Sequence, residues 1–423
     1  MTSPFVVREH VVPGAHIREY ARATADAQEE VLEIAVKEYI PREEVGGSSK
    51  GAGGVTILGA HANGFPKELY EPLWEDLYRE SKKRGFRIRS IIIADAAWQG
   101  KSGLLNASKL GNDPSWLDYT RDIAQVINHL RPPLPMIGIS HSFGAAALVN
   151  LAHTHPRLLT SLVLLDPVIS PYSSTPGPLN RSPAAQSLRR REVWPSRPEA
   201  RAKFNQSPFY KAWDTRVLDR WVEFGLRDVA PGELPSITGN EGDRGKGGEV
   251  TLTTTKHQED FTFLRPTVAA YDAAGQRLVR PDLVPDLPPD NPLGNYPFYR
   301  PEPSLTLSRL PSLRPGVLYV LGETSNVSDP VITRDRERVT GTGRGGSGGR
   351  MRSVTLKGRG HLIPMEVPGE CAALAAEWMG EELGRWARGE GAEFEEWRAR
   401  DAREKTRLGP EWYELLKREK AKI

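Results

Sequence analysis

From Gly54 to Ile169, apolar runs of strand length alternate with amphipathic runs of helix length, and that rhythm excludes most architectures at once. VTILGAHA reads as a buried strand, KELYEPLWEDLYRESKKRG as a helix and FRIRSIIIADAA as the next strand. WLDYTRDIAQVINHLR is again helical, and PMIGIS, a helix from Phe143 and LTSLVLLDPVI continue the series. Strands that are apolar throughout and separated by helices imply βαβ units: a parallel sheet covered on both faces, with right-handed crossovers. Ahead of Gly54, PFVVREHVV and VLEIAVKEYIP read as two more strands, a hairpin at the sheet edge. The expected fold class is α/β, a mostly parallel sheet flanked by helices.

The rhythm breaks between Ser170 and Pro315, a stretch far too long for an ordinary connection. Its proline clusters, STPGPLNRSP and PDLVPDLPPDNP, alternate with amphipathic pieces such as AWDTRVLDRWVEFGL, the texture of an inserted cap rather than a disordered linker. GVLYVLGE resumes the strand pattern, and RSVTLKGRG is a last strand after the glycine-rich TGTGRGGSGGR. GECAALAAEWMGEELGRWARG is an amphipathic helix. The expected organisation is a first core part over 1–169, a cap over 170–315 inserted between strands six and seven, a second core part over 316–390, and a charged tail over 391–423. Trp397, Trp412 and Tyr413 are spaced along that tail as in helices packed by one face.

Charge narrows the partners. Lys and Arg total 57 against 54 Asp and Glu, a net of +3, too even for nucleic acid or an anionic membrane as partner. The single cysteine, Cys371, excludes an intramolecular disulfide framework and fits a reducing compartment; in CAALAAEW its expected role is that of a packed small residue. No window of about 18 uncharged apolar residues marks a transmembrane segment. MTSPFVVREH has no basic region leading into an apolar core, so no cleavable signal is expected.

The chemistry gathers at PMIGISHSFGAAAL. A serine nucleophile on a sharp strand-to-helix turn needs small residues two positions away on each side, where the chains crowd. Ser140 and Gly144 flank Ser142 in that way, whereas a turn about Ser140 would fall inside the apolar strand. HANGF, following the strand VTILGA, stands where such folds place backbone N–H groups for a developing oxyanion, so Asn63 and Phe143 are the expected donors. His361, in GRGHLIPMEVP, lies between the final strand and the final long helix, where a base can reach back over the sheet's carboxyl edge. His257, in TTTKHQEDF, falls in the cap with a structural or surface role expected, and His141 is expected to pack beneath the elbow. Ser142 before His361 preserves the chain order of serine hydrolysis on an α/β-hydrolase fold. The acid stays open. The turn after GVLYVLG reads GETSNVSD, offering Ser325 where an aspartate is expected, and the competing carboxylates are Glu323, Asp329 and Asp166. Asp166, at the end of the strand after the elbow strand, is the favoured one, since neighbouring strand ends lie about 4.8 Å apart.

HANGFPKE, SHSFGAA, LLDPVI, WPSRPEARAKF, TTTKHQEDFTFLRP, TGTGRGGSGG and GHLIPMEVPGECA together resemble the fungal α/β-hydrolases of the toxin-biosynthesis and peroxisomal lipase-like branch, over residues 5–390. The resemblance implies Ser142 as nucleophile and His361 as base, and leaves the substrate open, because one fold hosts many acyl chemistries. The expected activity is hydrolysis of a carboxylic ester of a hydrophobic acyl substrate through an acyl-enzyme, with acyl-CoA thioester hydrolysis or acyl transfer as the alternative and a non-catalytic metabolite-binding scaffold as the rival of another class. Neither a metal nor an organic cofactor is called for. The aromatic-bearing cap favours a hydrophobic acyl group, while burial of Trp213, Trp221 and Phe263 inside the cap itself would look identical in sequence. Ala421, Lys422 and Ile423 follow the small-basic-aliphatic pattern of the peroxisomal address, implying an import receptor as partner and the peroxisomal matrix, with the cytoplasm as alternative.

Overall fold

In the computed structural model, which describes residues 3–45, 54–172, 178–233, 248–287 and 298–418, the apolar runs become the strands of one eight-stranded sheet. In chain order they are β1 (Phe5–Pro13), β2 (Glu33–Pro41), β3 (Gly54–Ala60), β4 (Arg87–Ala94), β5 (Met136–His141), β6 (Ser161–Leu165), β7 (Gly316–Gly322) and β8 (Met351–Leu356). The spatial order is β1-β2-β4-β3-β5-β6-β7-β8. All pairs from β4 to β8 are parallel, while β1 and β2 add antiparallel at the edge. This is the α/β-hydrolase fold, a mostly parallel sheet with helices on both faces.

Side chains alternate along each strand, so each strand feeds two cores. Ile57, Ile91, Ile139, Val163 and Val320 face one layer, into which α1 (Glu71–Lys83) puts Leu73, Trp74 and Leu77. The same layer takes Cys371, Ala375, Trp378 and Met379 from the helix Pro368–Trp386. Leu58, Ile92, Leu162, Leu164 and Leu321 face the other layer, against Tyr119 and Ile123 of α2 (Trp116–Leu130) and Ala145 to Leu151 of α3 (Gly144–Thr154). Each such fully buried aliphatic side chain contributes about 1.5–3 kcal/mol.

Between β6 and β7 the chain leaves the sheet. Helices Arg197–Gln206, Thr215–Phe224 and Lys256–Phe263 accompany a separate three-stranded sheet made from Val193–Trp194, Val250–Leu252 and Leu226–Asp228. Trp213 and Trp221 pack edge to face with each other and with Phe65 of the core, joining this segment to one layer of the main body.

Past Trp386 the sequence expectation of packed helices is corrected. Helices form over Ala392–Ala399, Ala402–Thr406 and Pro410–Arg418, yet Phe394, Trp397, Trp412 and Tyr413 are between 45% and 57% exposed. None of these helices exceeds nine residues, so their aromatic groups form no continuous stripe able to cover the core.

The long connection between β1 and β2 is pinned through one buried ion pair. Asp122 of α2 accepts from both terminal nitrogens of Arg18 at 2.9 Å and from the Ala15 N–H, and both side chains are nearly or fully buried. Asp122→Ala would strand the guanidinium without its partner. We expect a loss of about 3–5 kcal/mol in urea unfolding, with a larger loss than in Asp122→Asn, which keeps an acceptor oxygen.

Candidate active site

Six parallel strands point their carboxyl ends the same way, and the site lies along that edge. β5 ends at His141 and α3 begins at Gly144, so Ser142 must turn the chain within two residues. It does so in the left-handed region, at φ 57°, a strain tolerated where structure around it is dense. Gly144 is required for the same crowding: a Cβ there would stand 2.6 Å from the carbonyl oxygen of His61 and 2.7 Å from that of Ala60. Ser140, by contrast, is buried within the strand and does not line the cavity that Ser142 lines; its Oγ has no partner among the described residues.

His361 bridges two groups. Its Nε2 lies 2.9 Å from Ser142 Oγ and its Nδ1 lies 2.6 Å from Asp166 Oδ2. A carboxylate only accepts, so Nδ1 carries the proton and the Nε2 lone pair faces the serine hydroxyl. Asp166 follows β6 directly, at φ 42°, and is fully buried. Its Oδ1 also accepts from the Gly322 N–H at 3.0 Å and from Ser328 Oγ at 2.7 Å, and its Oδ2 accepts from Ser325 Oγ. Burial pushes this carboxyl up, but His361, the Ser325 hydroxyl and the Gly322 N–H outweigh it and hold the pKa below the usual carboxylate range. The structure thus gathers Ser142, His361 and Asp166, and it does not bring in the other two carboxylates. Glu323 turns outward to accept from the Gly358 N–H at 2.7 Å. Asp329 borders the cavity but caps the helix Pro330–Val339, accepting from the Val331 N–H.

Asn63 and Phe143 border the same cavity as Ser142 and His361, and among the described residues no acceptor takes their backbone N–H groups. Rings of His61, Trp116 and Tyr119 surround the Phe143 ring with centroids 5.5 to 5.7 Å away. His61 shapes the loop itself. Its Nδ1 donates to the Ala62 carbonyl at 2.8 Å and its Nε2 accepts from the Ala96 N–H at 2.9 Å, a pattern only the neutral ring allows. Burial accordingly pushes the His61 pKa down.

His141 does more than pack beneath the elbow. The Ala62 N–H donates to Tyr70 Oη, Tyr70 donates to His141 Nδ1, and His141 Nε2 donates to the His361 carbonyl, with spacings of 2.8, 2.9 and 2.9 Å. The chain runs from the loop before Asn63 to the backbone of His361, and burial keeps the His141 imidazole neutral within it. Tyr70, Gln99, Ser328 and Thr262 escaped sequence reading, because their partners lie far away along the chain and follow no local period. Ser325 carried the one visible signal, a hydroxyl where a carboxylate is expected.

The cavity holds about 510 Å³ and is walled chiefly by apolar groups, among them Phe65, Trp116, Val168, Ile169, Phe263 and Ile332. Of the three cap aromatics for which the sequence left substrate contact and burial open, Phe263 borders the cavity, while Trp213 and Trp221 are core. His257 lies half-buried on Lys256–Phe263 away from the cavity, and Cys371 is sealed in the helix beneath the sheet. Ala421, Lys422 and Ile423 lie outside the described residues. Among the described residues no three metal-ligating side chains converge, and no helix is long and apolar enough to cross a membrane.

Residues 57–374 match the alpha/beta hydrolase family. Over 98% of its length the chain is 39% identical to a "Type I acyl-CoA thioesterase mpaH" of Penicillium brevicompactum, covering 96% of that protein. It is 28% identical to an "Abhydrolase domain-containing protein AFT2-1" of Alternaria alternata, over 58% of this chain and 83% of the other. The peroxisomal alpha-beta-hydrolase Lpx1 of Saccharomyces cerevisiae superposes with a TM-score of 0.67 at 16% identity, covering 90% of each chain, a likeness of fold.

The neutral His141 has a consequence for stability. Burial, reinforced by the neighbouring His361, pushes its pKa down to about 3, while in the unfolded chain it binds a proton below about 6.5. Between those values the unfolded state holds more protons, so stability falls as pH falls. Unfolding free energies from urea titrations at pH 8 and pH 5 should therefore differ by about 2 kcal/mol less in His141→Asn than in the wild type. Equal differences would show that His141 is charged in the folded protein.

Proposed function

We propose that this chain, a member of the alpha/beta hydrolase family, is a serine hydrolase whose substrate is an acyl thioester of coenzyme A with a hydrophobic acyl group. The observation that carries this reading is His361 standing between Ser142 and a buried carboxylate, beside an apolar cavity. In this reading Ser142 Oγ attacks the acyl carbon while its proton passes to His361 Nε2, and the N–H groups of Asn63 and Phe143 receive the oxyanion. Asp166 holds the imidazole in the required tautomer and supports its charge. The thiol leaves with the proton from His361. The same nitrogen then deprotonates water, which attacks the acyl-enzyme and releases the carboxylic acid and Ser142.

Thioester over oxygen ester is supported by the 39% identical relative named as an acyl-CoA thioesterase, matched along nearly its whole length. Residues 170–315 serve as the cap, and Phe263 is the part of it that meets the acyl chain. At about 510 Å³ the cavity suits an acyl group, so discrimination rests on the acyl part. The small-basic-aliphatic sequence Ala421-Lys422-Ile423 supports delivery to the peroxisomal matrix.

Fluorophosphonate labelling tests the nucleophile. Ser142→Ala should lose both the label and turnover of an acyl-CoA panel, while Ser140→Ala keeps the label. An unlabelled, inactive but folded wild type would turn the reading to a binding scaffold. Asp166→Asn should lower turnover by about 10⁴, with little effect from Glu323→Gln or Asp329→Asn; the reverse ranking would reassign the acid. For the address, a reporter fusion lacking residues 421–423 should stay in the cytosol where the intact fusion enters peroxisomes, and import of the truncated fusion would rule the tripeptide out.

A further inference from the structure

The loop that carries Asn63 leaves β3 and has no helix or strand of its own to fix its aim. Its restraint comes from the side. Asn63 Nδ2 donates to the Glu259 carbonyl on the helix Lys256–Phe263 at 2.9 Å, and Asn63 Oδ1 accepts from Gln99 Nε2. Gln99 Oε1 in turn accepts from the Gly64 N–H at 2.9 Å. The second Gln99 Nε2 proton goes to Thr262 Oγ1 at 3.0 Å, and that hydroxyl donates to the Gln258 carbonyl at 2.8 Å. Carbonyls only accept and peptide N–H groups only donate, so both amides have a single permitted orientation. Gln99 and Thr262 are fully buried, where water cannot replace a lost partner.

We infer that Gln99 is a positioning residue that fastens the Asn63 loop to the inserted helix through Thr262, so that the cap, and not the sheet alone, aims the Asn63 N–H. This rests on the reading of that N–H as an oxyanion donor. Such donors act only within a few tenths of an ångström of the oxyanion position, and deleting one slows turnover by about 10²–10³. Gln99 touches no reacting atom. Its loss would loosen the donor without removing it, weakening the transition state while leaving the acyl cavity intact.

The test compares Gln99→Leu, Thr262→Val and Thr262→Ser with the wild type, using p-nitrophenyl octanoate and an octyl trifluoromethyl ketone, which adds to the serine as a hemiketal oxyanion. Gln99→Leu should lower kcat by about tenfold or more with KM changed less than about twofold, and raise the ketone's inhibition constant by the same factor as kcat falls. Thr262→Val should move the same quantities in the same direction, and Thr262→Ser should restore them. A folded, fluorophosphonate-labelled Gln99→Leu with unchanged kcat, or one whose loss lies wholly in KM, overturns the inference. Should Gln99→Leu not fold, the Thr262 pair decides: loss in valine without recovery in serine marks a packing effect and overturns it equally. A wild type that takes no label brings down the functional reading first, which is a different outcome from a labelled variant with normal turnover.

Discussion

A fully buried carboxylate organises this molecule's working edge. Taking Asp166 out of water costs several kcal/mol unless its oxygens are answered, and four donors answer them: the Gly322 N–H, Ser325 Oγ, Ser328 Oγ and His361 Nδ1. Those donors come from the end of β7, the turn after it and the loop after β8. Three strand ends are therefore held to a common point, with Leu165 paired to both His141 and Val320 just behind it. The left-handed turn at Asp166 and the one at Ser142 lie on neighbouring strands, and both depend on the same dense surroundings.

Much of this was legible in the sequence where the physics is local. Ile57 and Leu58 are adjacent and face opposite layers, which is why VTILGA is apolar at every position and why a parallel, doubly covered sheet follows. The elbow was legible because chain crowding excludes a side chain at Gly144. The carboxylate that faces His361 was harder. Glu323 occupies the expected turn, but its longer side chain is drawn outward by the Gly358 N–H, and no sequence pattern records that competition. Trp213 and Trp221 show another limit: an amphipathic helix declares an apolar face without declaring whether that face meets a core or a cavity. The aromatic residues of the tail erred in the opposite direction, since periodicity announces a face even when nothing lies opposite it.

Hydrogen bonds over long sequence distances were the least legible and matter most for the site. Tyr70 and His141, 71 positions apart, connect the backbone before Asn63 to the backbone of His361. The two halves of the site thus share one hydrogen-bonded frame. The amide network at Gln99 extends that frame into the inserted segment, joining residues 163 positions apart.

The identity of Ser325 bears on the charge of its neighbour. It occupies the turn where an acid is expected, and its hydroxyl is bonded to the carboxylate of the adjacent strand, so the two places are within one hydrogen bond of each other. A carboxylate at 325 would have to share one proton with Asp166, since like charges so close cannot both ionise; the hydroxyl that stands there instead donates, and lets Asp166 face His361 with its charge intact.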